Sequence, residues 1–191
     1  MSQIEKAVKI LISGGIVIFP TDTIFGIGCR IGDKNAIDRL YKIKGRAENK
    51  ATLILVKDEL QAEKYAYISK EARELMSEFW PGPLTLVLKA KNTVPEKIQA
   101  NSSVGLRAPN FGIINSVIDG VGEAILAPSA NFTGNRAPAK RAEIDKNLIK
   151  LVDYVIDFEC GGNEPSTIVE ILDGQKRIVR EGALKRKLSL D

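Results

Sequence analysis

Gly14-Gly15-Ile16-Val17-Ile18-Phe19-Pro20-Thr21-Asp22-Thr23 decides the fold class. Upstream, Ile4, Val8, Leu11 and Ile12 recur at helical spacing, so residues 3–13 are expected to form a helix that the glycine pair ends. The β-branched run at 16–19 reads as a short buried strand. Pro20 has no N–H to continue a ladder, so the chain must turn there. A helix feeding a buried strand that empties into a hydroxyl-rich turn is the unit of an α/β domain.

Working outward, the same alternation repeats. Asp33 is placed to cap a helix whose apolar face is Ala36, Ile37, Leu40, Tyr41 and Ile43, and Gly45 to end it. Residues 53–56 predict a strand. Leu75, Phe79 and Trp80 predict a helix closed by Pro81-Gly82-Pro83, and 84–88 resume as a strand. Further strands are expected at 104–107, 124–127, 154–157, 167–172 and 177–180, with helices at 111–118 and 142–151. Asp173-Gly174 is a turn signal that folds the last two strands into a hairpin. Strand–helix alternation early and a hairpin late predict one mixed-sheet α/β domain over residues 1–184, with a basic tail at 185–191.

Composition narrows the chemistry. The 191 residues are 44% hydrophobic, enough for a core, and carry 28 Lys+Arg against 24 Asp+Glu. A net charge of +4 is too small to establish nucleic-acid binding but suits anionic ligands. No apolar stretch approaches the ~18 residues of a membrane span, and Glu5, Lys6 and Lys9 interrupt any signal-like region, so the expected compartment is the cytoplasm. Cys29 and Cys160 form no CxxC pair and read as reduced, inert thiols. The chain has no histidine. Ser-His-Asp triads, His-ligated zinc and an imidazole base are therefore excluded; chemistry must come from Lys, Arg, hydroxyls, amides, carboxylates, a bound metal or the substrate itself, which favours positioning and electrostatic stabilisation over a side-chain proton relay.

Four motifs carry candidate chemistry, each with a structural alternative. Pro20-Thr21-Asp22-Thr23 holds two hydroxyls and a carboxylate at a strand end, where α/β sheets bind ligands, or is a turn satisfying its own backbone. Lys44, Arg46 and Lys50 gather three cations within seven residues after a helix. They suit a phosphate clamp, or simply complement the helix dipole. Ser103 and Arg107 lie four apart on a strand and so share a face; Arg107 meets a substrate carboxylate or a surface acid. Ser129 and Asn131 follow the 124–127 strand as ligand groups or as turn formers. Ser166-Thr167 and Arg180 bracket the late hairpin without standing out alone. Trp80 reads as core rather than a base-stacking platform, and Lys185-Arg186-Lys187 as a solvated terminus rather than an RNA contact. Neither a P-loop nor a dinucleotide-binding glycine pattern is present.

Taken in order, seven strings resemble the YrdC/TsaC family of threonylcarbamoyl-AMP synthases over residues 3–183. They are Phe19-Pro20-Thr21-Asp22-Thr23 with Phe25-Gly26; Lys44-Gly45-Arg46 with Asn49-Lys50; Phe79-Trp80-Pro81-Gly82-Pro83-Leu84-Thr85; and Val104-Gly105-Leu106-Arg107 with Pro109. The rest are Pro128-Ser129-Ala130-Asn131, Ser166-Thr167-Ile168-Val169 and Ile178-Val179-Arg180-Glu181-Gly182-Ala183. The resemblance implies a YrdC-like twisted sheet with helices packed around an open basic cavity. It implies a nucleotidyltransferase that converts L-threonine, bicarbonate and ATP, with Mg²⁺ carried by the ATP rather than by a protein metal site, into threonylcarbamoyl-AMP and pyrophosphate. That product feeds modification of position 37 in tRNAs reading ANN codons, with separate downstream transfer proteins and at most weak tRNA contact by this chain.

Carried over by position, Thr23, Arg107, Ala127 and Ser166 are the implied threonine contacts. Arg46, Lys50, Ser103, Ser129, Asn131, Ala137 and Arg180 are the implied ATP contacts, and Lys44, Arg46 and Lys50 the implied catalytic cations. The chain departs from the family pattern at Ala47 and Ala51-Thr52, where prolines and leucine are usual, at Leu55, where some relatives have histidine, and at Phe25, often tyrosine. Two rivals use the same cavity: a non-catalytic module binding tRNA or double-stranded RNA, for which aromatics are few, and a paralogue that adenylates another substrate. Hydrogenase-maturation relatives are disfavoured because their acylphosphatase and cysteine-rich zinc modules are missing from this sequence.

Overall fold

The computed structural model describes residues 1–45 and 52–184; Arg46, Lys50, the departures at 47 and 51, and the basic tail fall outside them. The described chain folds as α1 (Gln3–Ile12), β1 (Val17–Phe19), β2 (Gly26–Arg30), α2 (Lys34–Lys44), β3 (Leu53–Leu55), α3 (Glu59–Ala62), α4 (Lys70–Phe79) and β4 (Leu84–Lys89). It continues through β5 (Ser103–Arg107), α5 (Gly112–Val121), β6 (Ile125–Leu126), α6 (Lys146–Leu151), β7 (Tyr154–Val155), β8 (Thr167–Leu172) and β9 (Gln175–Arg180). The strands form one mixed sheet in the order β7-β1-β2-β6-β3-β5-β4-β8-β9.

Local chemistry accounts for most boundaries. A capping box closes the start of α1: Glu5 N donates to Ser2 Oγ (3.2 Å) and Ser2 N to Glu5 Oε2 (2.8 Å). Ala36 N donates to Asp33 Oδ1 at 2.9 Å, and Gly45 ends α2 in the left-handed region at φ 58°. Asp173 and Gly174 both have positive φ (51° and 74°), as a two-residue type I′ hairpin requires. Trp80 packs against the core and donates Nε1–H to Leu84 O at 2.7 Å.

Among the described residues, three differences from the sequence expectation matter most. Gly26–Arg30 is a strand, β2, that the glycines concealed; a Cβ on Gly28 would lie 1.9 Å from Leu126 O, so glycine is required where β6 crosses close. The helix expected over 142–151 is a short 3₁₀ turn (Arg141–Glu143) followed by α6, which Asp145 recaps by accepting from Asn147 N at 2.7 Å. Residues 59–62 form a short helix not anticipated from the pattern.

Alternation along the strands sorts side chains into two cores. Ile18, Ile27, Ile54, Leu84, Leu86, Val104, Leu106 and Val169 face α2, α3 and α4 on one side. Val17, Phe19, Leu55, Ile125 and Ala127 face α1 and α5 on the other. On that second side, one cross-strand row runs past Leu55. Leu55 pairs with Arg107, Thr85 with Ile168, and Ile168 with Arg180. Extending the β4/β5 register from Leu86↔Leu106 brings Thr85 opposite Arg107. This row is the floor of the cavity.

Candidate active site

The cavity holds about 240 Å³ and is walled by the turn after β1, the ends of β3 to β5, the loop after β6 and the β8–β9 hairpin. Its charged lining residues, among those described, are Arg107 and Arg180. A concave site with two cations and no carboxylate in its described lining suits an anionic ligand.

The turn after β1 supplies the first wall. Thr21 Oγ1 accepts from Thr23 N (3.0 Å) and donates to Ile24 O (2.8 Å). Its single hydroxyl proton is thereby used, so in the 2.9 Å contact between the two hydroxyls Thr23 must be the donor. Thr23 Oγ1 in turn accepts Arg107 Nη1–H at 2.8 Å. What Thr23 has left for a ligand is a lone pair; it can meet an ammonium or a hydroxyl proton, not a carboxylate. A glycine-rich strap braces the turn: Gly161 N donates to Thr21 O (2.9 Å), and a Cβ on Gly162 would stand 2.7 Å from Asp22 O.

Arg107, at the end of β5, is 2% exposed. Its Nη2 lies 3.1 Å from Asp22 Oδ1. Burial pulls the guanidinium down from its ordinary value; the Asp22 carboxylate opposes that, and Arg180 adds repulsion. Arg107 Nε and Asp22 Oδ2 are buried with no hydrogen-bond partner among the described residues. A buried cation with donors to spare is a receptor for a carboxylate.

The hairpin wall carries Ser166 and Arg180. Ser166 Oγ lies 2.7 Å from Thr85 Oγ1, and Arg180 donates Nε–H and Nη2–H to Ser166 O at 3.1 and 2.8 Å. The two hydroxyls own two protons and spend one on each other, which leaves one to donate to a ligand. Burial lowers the Arg180 pKa. The end of β9 closes tightly here: a Cβ on Gly182 would be 2.2 Å from Pro165 O.

The loop after β6 forms the last wall. It is pinned by Ile27 N→Pro128 O (2.9 Å), Ala130 N→Phe25 O (2.9 Å) and an isolated bridge between Gly26 and Ser129. Phe25 N donates to Pro138 O at 3.0 Å, which draws Ala137 to the rim.

Of the residues expected from the sequence, Thr23, Arg107, Ala127, Ser129, Ala137, Ser166 and Arg180 meet in this one cavity. Three others stand elsewhere. Ser103 shares Arg107's face but opens β5 at its other end, about 13 Å away at ~3.3 Å per residue, and donates to Ala100 O at 2.6 Å. Asn131 spends its amide on the loop, donating to Asn135 O (2.7 Å) and Phe132 O (3.0 Å) while accepting from Ser129 Oγ. Lys44 is 4% exposed, and its ammonium donates to Ser129 O and to Asn131 O (2.7 Å). An ammonium tied to backbone carbonyls of the loop acts as a strut for it.

Thr21 lines the cavity as the other hydroxyl of the turn motif, and Ile24, Thr85 and Pro165 line it without having been singled out as site residues. Thr85 carried a readable signal, a polar side chain alternating with Leu84 and Leu86. Cys29 is buried and Cys160 half-buried, both as free thiols. Burial raises them to about 12 and about 11. Both are therefore protonated and unreactive near neutrality.

Comparison with known proteins agrees with this fold. The Sua5/YciO/YrdC domain model, described as "Telomere recombination", matches residues 9–182. A Methanocaldococcus jannaschii protein that carries, provisionally, the name threonylcarbamoyl-AMP synthase is 39% identical over 184 residues, covering 95% of this chain and 86% of that protein. The structure of Pyrococcus abyssi Sua5 complexed with L-threonine superposes with a TM-score of 0.90 at 31% identity, over 95% of this chain and 55% of the Sua5 chain. This chain thus spans about half the length of that protein. Escherichia coli YciO superposes with a TM-score of 0.84 at 28% identity, covering 95% and 90% of the two chains. With its mixed twisted sheet, its seven strings in register and a family model spanning nearly its whole length, the chain belongs to the Sua5/YciO/YrdC family.

Proposed function

We propose that this protein is an L-threonylcarbamoyladenylate synthase, joining L-threonine, bicarbonate and ATP into threonylcarbamoyl-AMP with release of pyrophosphate. The observation that carries the reading is the buried Arg107 guanidinium with donors to spare, flanked by the acceptor-only Thr23 hydroxyl and the spare hydroxyl proton of Ser166 and Thr85. An amino acid with a carboxylate, an ammonium and a hydroxyl complements that set. The threonine complex of P. abyssi Sua5, at 31% identity, supports it.

The chemistry asks little of a base. The threonine ammonium first gives up one proton to solvent; the resulting amine attacks the bicarbonate carbon and water leaves, giving a carbamate that is already anionic. A carbamate oxygen then attacks the α-phosphorus of ATP, and pyrophosphate departs. The main obstacle is repulsion between the carbamate and the polyphosphate, which Arg180, Arg46 and Lys50 would offset. Mg²⁺ would arrive on the nucleotide phosphates and supply charge neutralisation there. Ser129, whose hydroxyl proton is spent on Asn131, would accept from the nucleotide, and Lys44 and Asn131 would hold the loop that presents it. The adenylate would then feed threonylcarbamoylation of adenosine 37 in ANN-reading tRNAs, by separate transfer proteins in the cytoplasm.

The test is pyrophosphate release from ATP by purified protein. The reading expects release that needs both threonine and bicarbonate. Release that needs neither, or a different amino acid in place of threonine, assigns the chain to the paralogue class. Inactivity with salt-sensitive tRNA binding assigns it to the RNA-binding class.

A further inference from the structure

We propose that Asp22 is a positioning residue for the substrate carboxylate: it fixes the Arg107 guanidinium from behind the cavity and touches no ligand itself. The inference rests on the synthase reading and deepens it. Asp22 is not among the residues lining the cavity. It faces a second hollow of about 330 Å³ on the far side, beside Gly82, Asn110 and Glu164. The Asp22–Arg107 pair is therefore part of the wall between the two spaces. Two anchors hold the guanidinium: Asp22 Oδ1 at 3.1 Å from Nη2 and Thr23 Oγ1 at 2.8 Å from Nη1. Two contacts on different nitrogens fix the plane of a rigid fork, and a fork in a fixed plane holds its remaining N–H groups in fixed directions.

Asp22 is itself fixed by the backbone around it. The turn carrying it is closed by the Thr21 hydroxyl, and Gly162 allows the strap to pass against Asp22 O. Lengthening the side chain by one methylene would push Oδ1's replacement into Arg107 and tilt the fork. An amide in place of the carboxylate would keep an oxygen at the same point. Geometry and charge thus make opposite predictions: a positioning role tolerates Asp22→Asn and not Asp22→Glu, whereas a purely electrostatic role tolerates Asp22→Glu and not Asp22→Asn.

The experiment is calorimetric titration of L-threonine, and separately of ATP, into the wild-type chain and both variants, with thermal melts alongside. The expected result is a threonine Kd within about threefold of wild type for D22N and at least tenfold weaker for D22E, with ATP affinity unchanged within twofold in each. The reverse order overturns the proposal, as do equal threonine affinities in all three proteins or parallel losses for threonine and ATP. The nearly isosteric D22N keeps the comparison decidable if D22E folds poorly, since a tenfold loss in D22N alone contradicts positioning. A wild-type protein that binds ATP but no threonine would overturn the synthase reading itself, an outcome distinct from the wrong order among variants.

Discussion

Replacing Thr23 by valine removes one oxygen while keeping the side chain's shape, and its consequences follow from three contacts. Thr23 Oγ1 accepts Arg107 Nη1–H at 2.8 Å and donates to Thr21 Oγ1 at 2.9 Å. Thr21 keeps its bonds to Thr23 N and Ile24 O, so the turn survives. Arg107 does not recover: a charged N–H is left buried and unpartnered. Hydrogen bonds to charged groups contribute about 1.5–3 kcal/mol, so T23V should be destabilised by about that amount, or about 3–12 °C in Tm for a domain this size. The ligand loses an acceptor as well, and a loss of about 1.4 kcal/mol or more makes threonine binding at least tenfold weaker. Thermal melts and threonine titration read the two effects separately. Valine as a second ligand tells which substrate donor Thr23 meets: equal loss for both amino acids identifies the amine, and loss confined to threonine identifies the hydroxyl. A T23V protein with unchanged Tm and threonine affinity within twofold of wild type would refute the hydrogen-bond assignment.

Lys44→Met should strip the Ser129 and Asn131 carbonyls of their ammonium donor, costing about 1–3 kcal/mol in urea unfolding and weakening ATP about tenfold while threonine affinity changes less. Arg46→Ala and Lys50→Ala should each lower turnover by about 10²-fold or more with little change in stability; near-normal pyrophosphate release in both would contradict a phosphate clamp. Alkaline pH should destabilise the fold. Burial raises Cys29 to about 12 and Cys160 to about 11 from an ordinary 9.0, so above pH 9 the unfolded chain releases protons that the folded one retains. This stabilisation is complete below pH 9 and is lost as pH rises through 11 and 12; urea midpoints should fall over that range, and less steeply in C160A.

Much of the architecture is legible because local chemistry dictates it. Asp33, Gly45 and Asp173-Gly174 mark their helix ends and hairpin by capping and turn geometry alone. Gly28 is different: its need for glycine comes from Leu126, nearly a hundred residues away, so β2 is invisible to local periodicity. The candidate site divides the same way. Composition and motif order point to an anion-binding cavity. That Leu55, Arg107, Thr85, Ile168 and Arg180 form one row is a matter of strand register, which spacing along the chain does not encode. Ser103 shares the strand face of Arg107 but lies at the other end of the strand, a separation that sharing a face does not reveal. Lys44 stands beside a cation-rich motif in the sequence, and its burial against two loop carbonyls becomes visible only in three dimensions. Asp22 was visible as a polar turn residue, but its partner lies 85 residues away.

The most direct measurement is mass spectrometry of the nucleotide product after incubation with ATP, L-threonine and ¹³C-bicarbonate. The account predicts threonylcarbamoyl-AMP carrying one ¹³C, formed by the wild-type protein and strongly reduced in T23V. Plain AMP or threonyl-AMP without the label would contradict it.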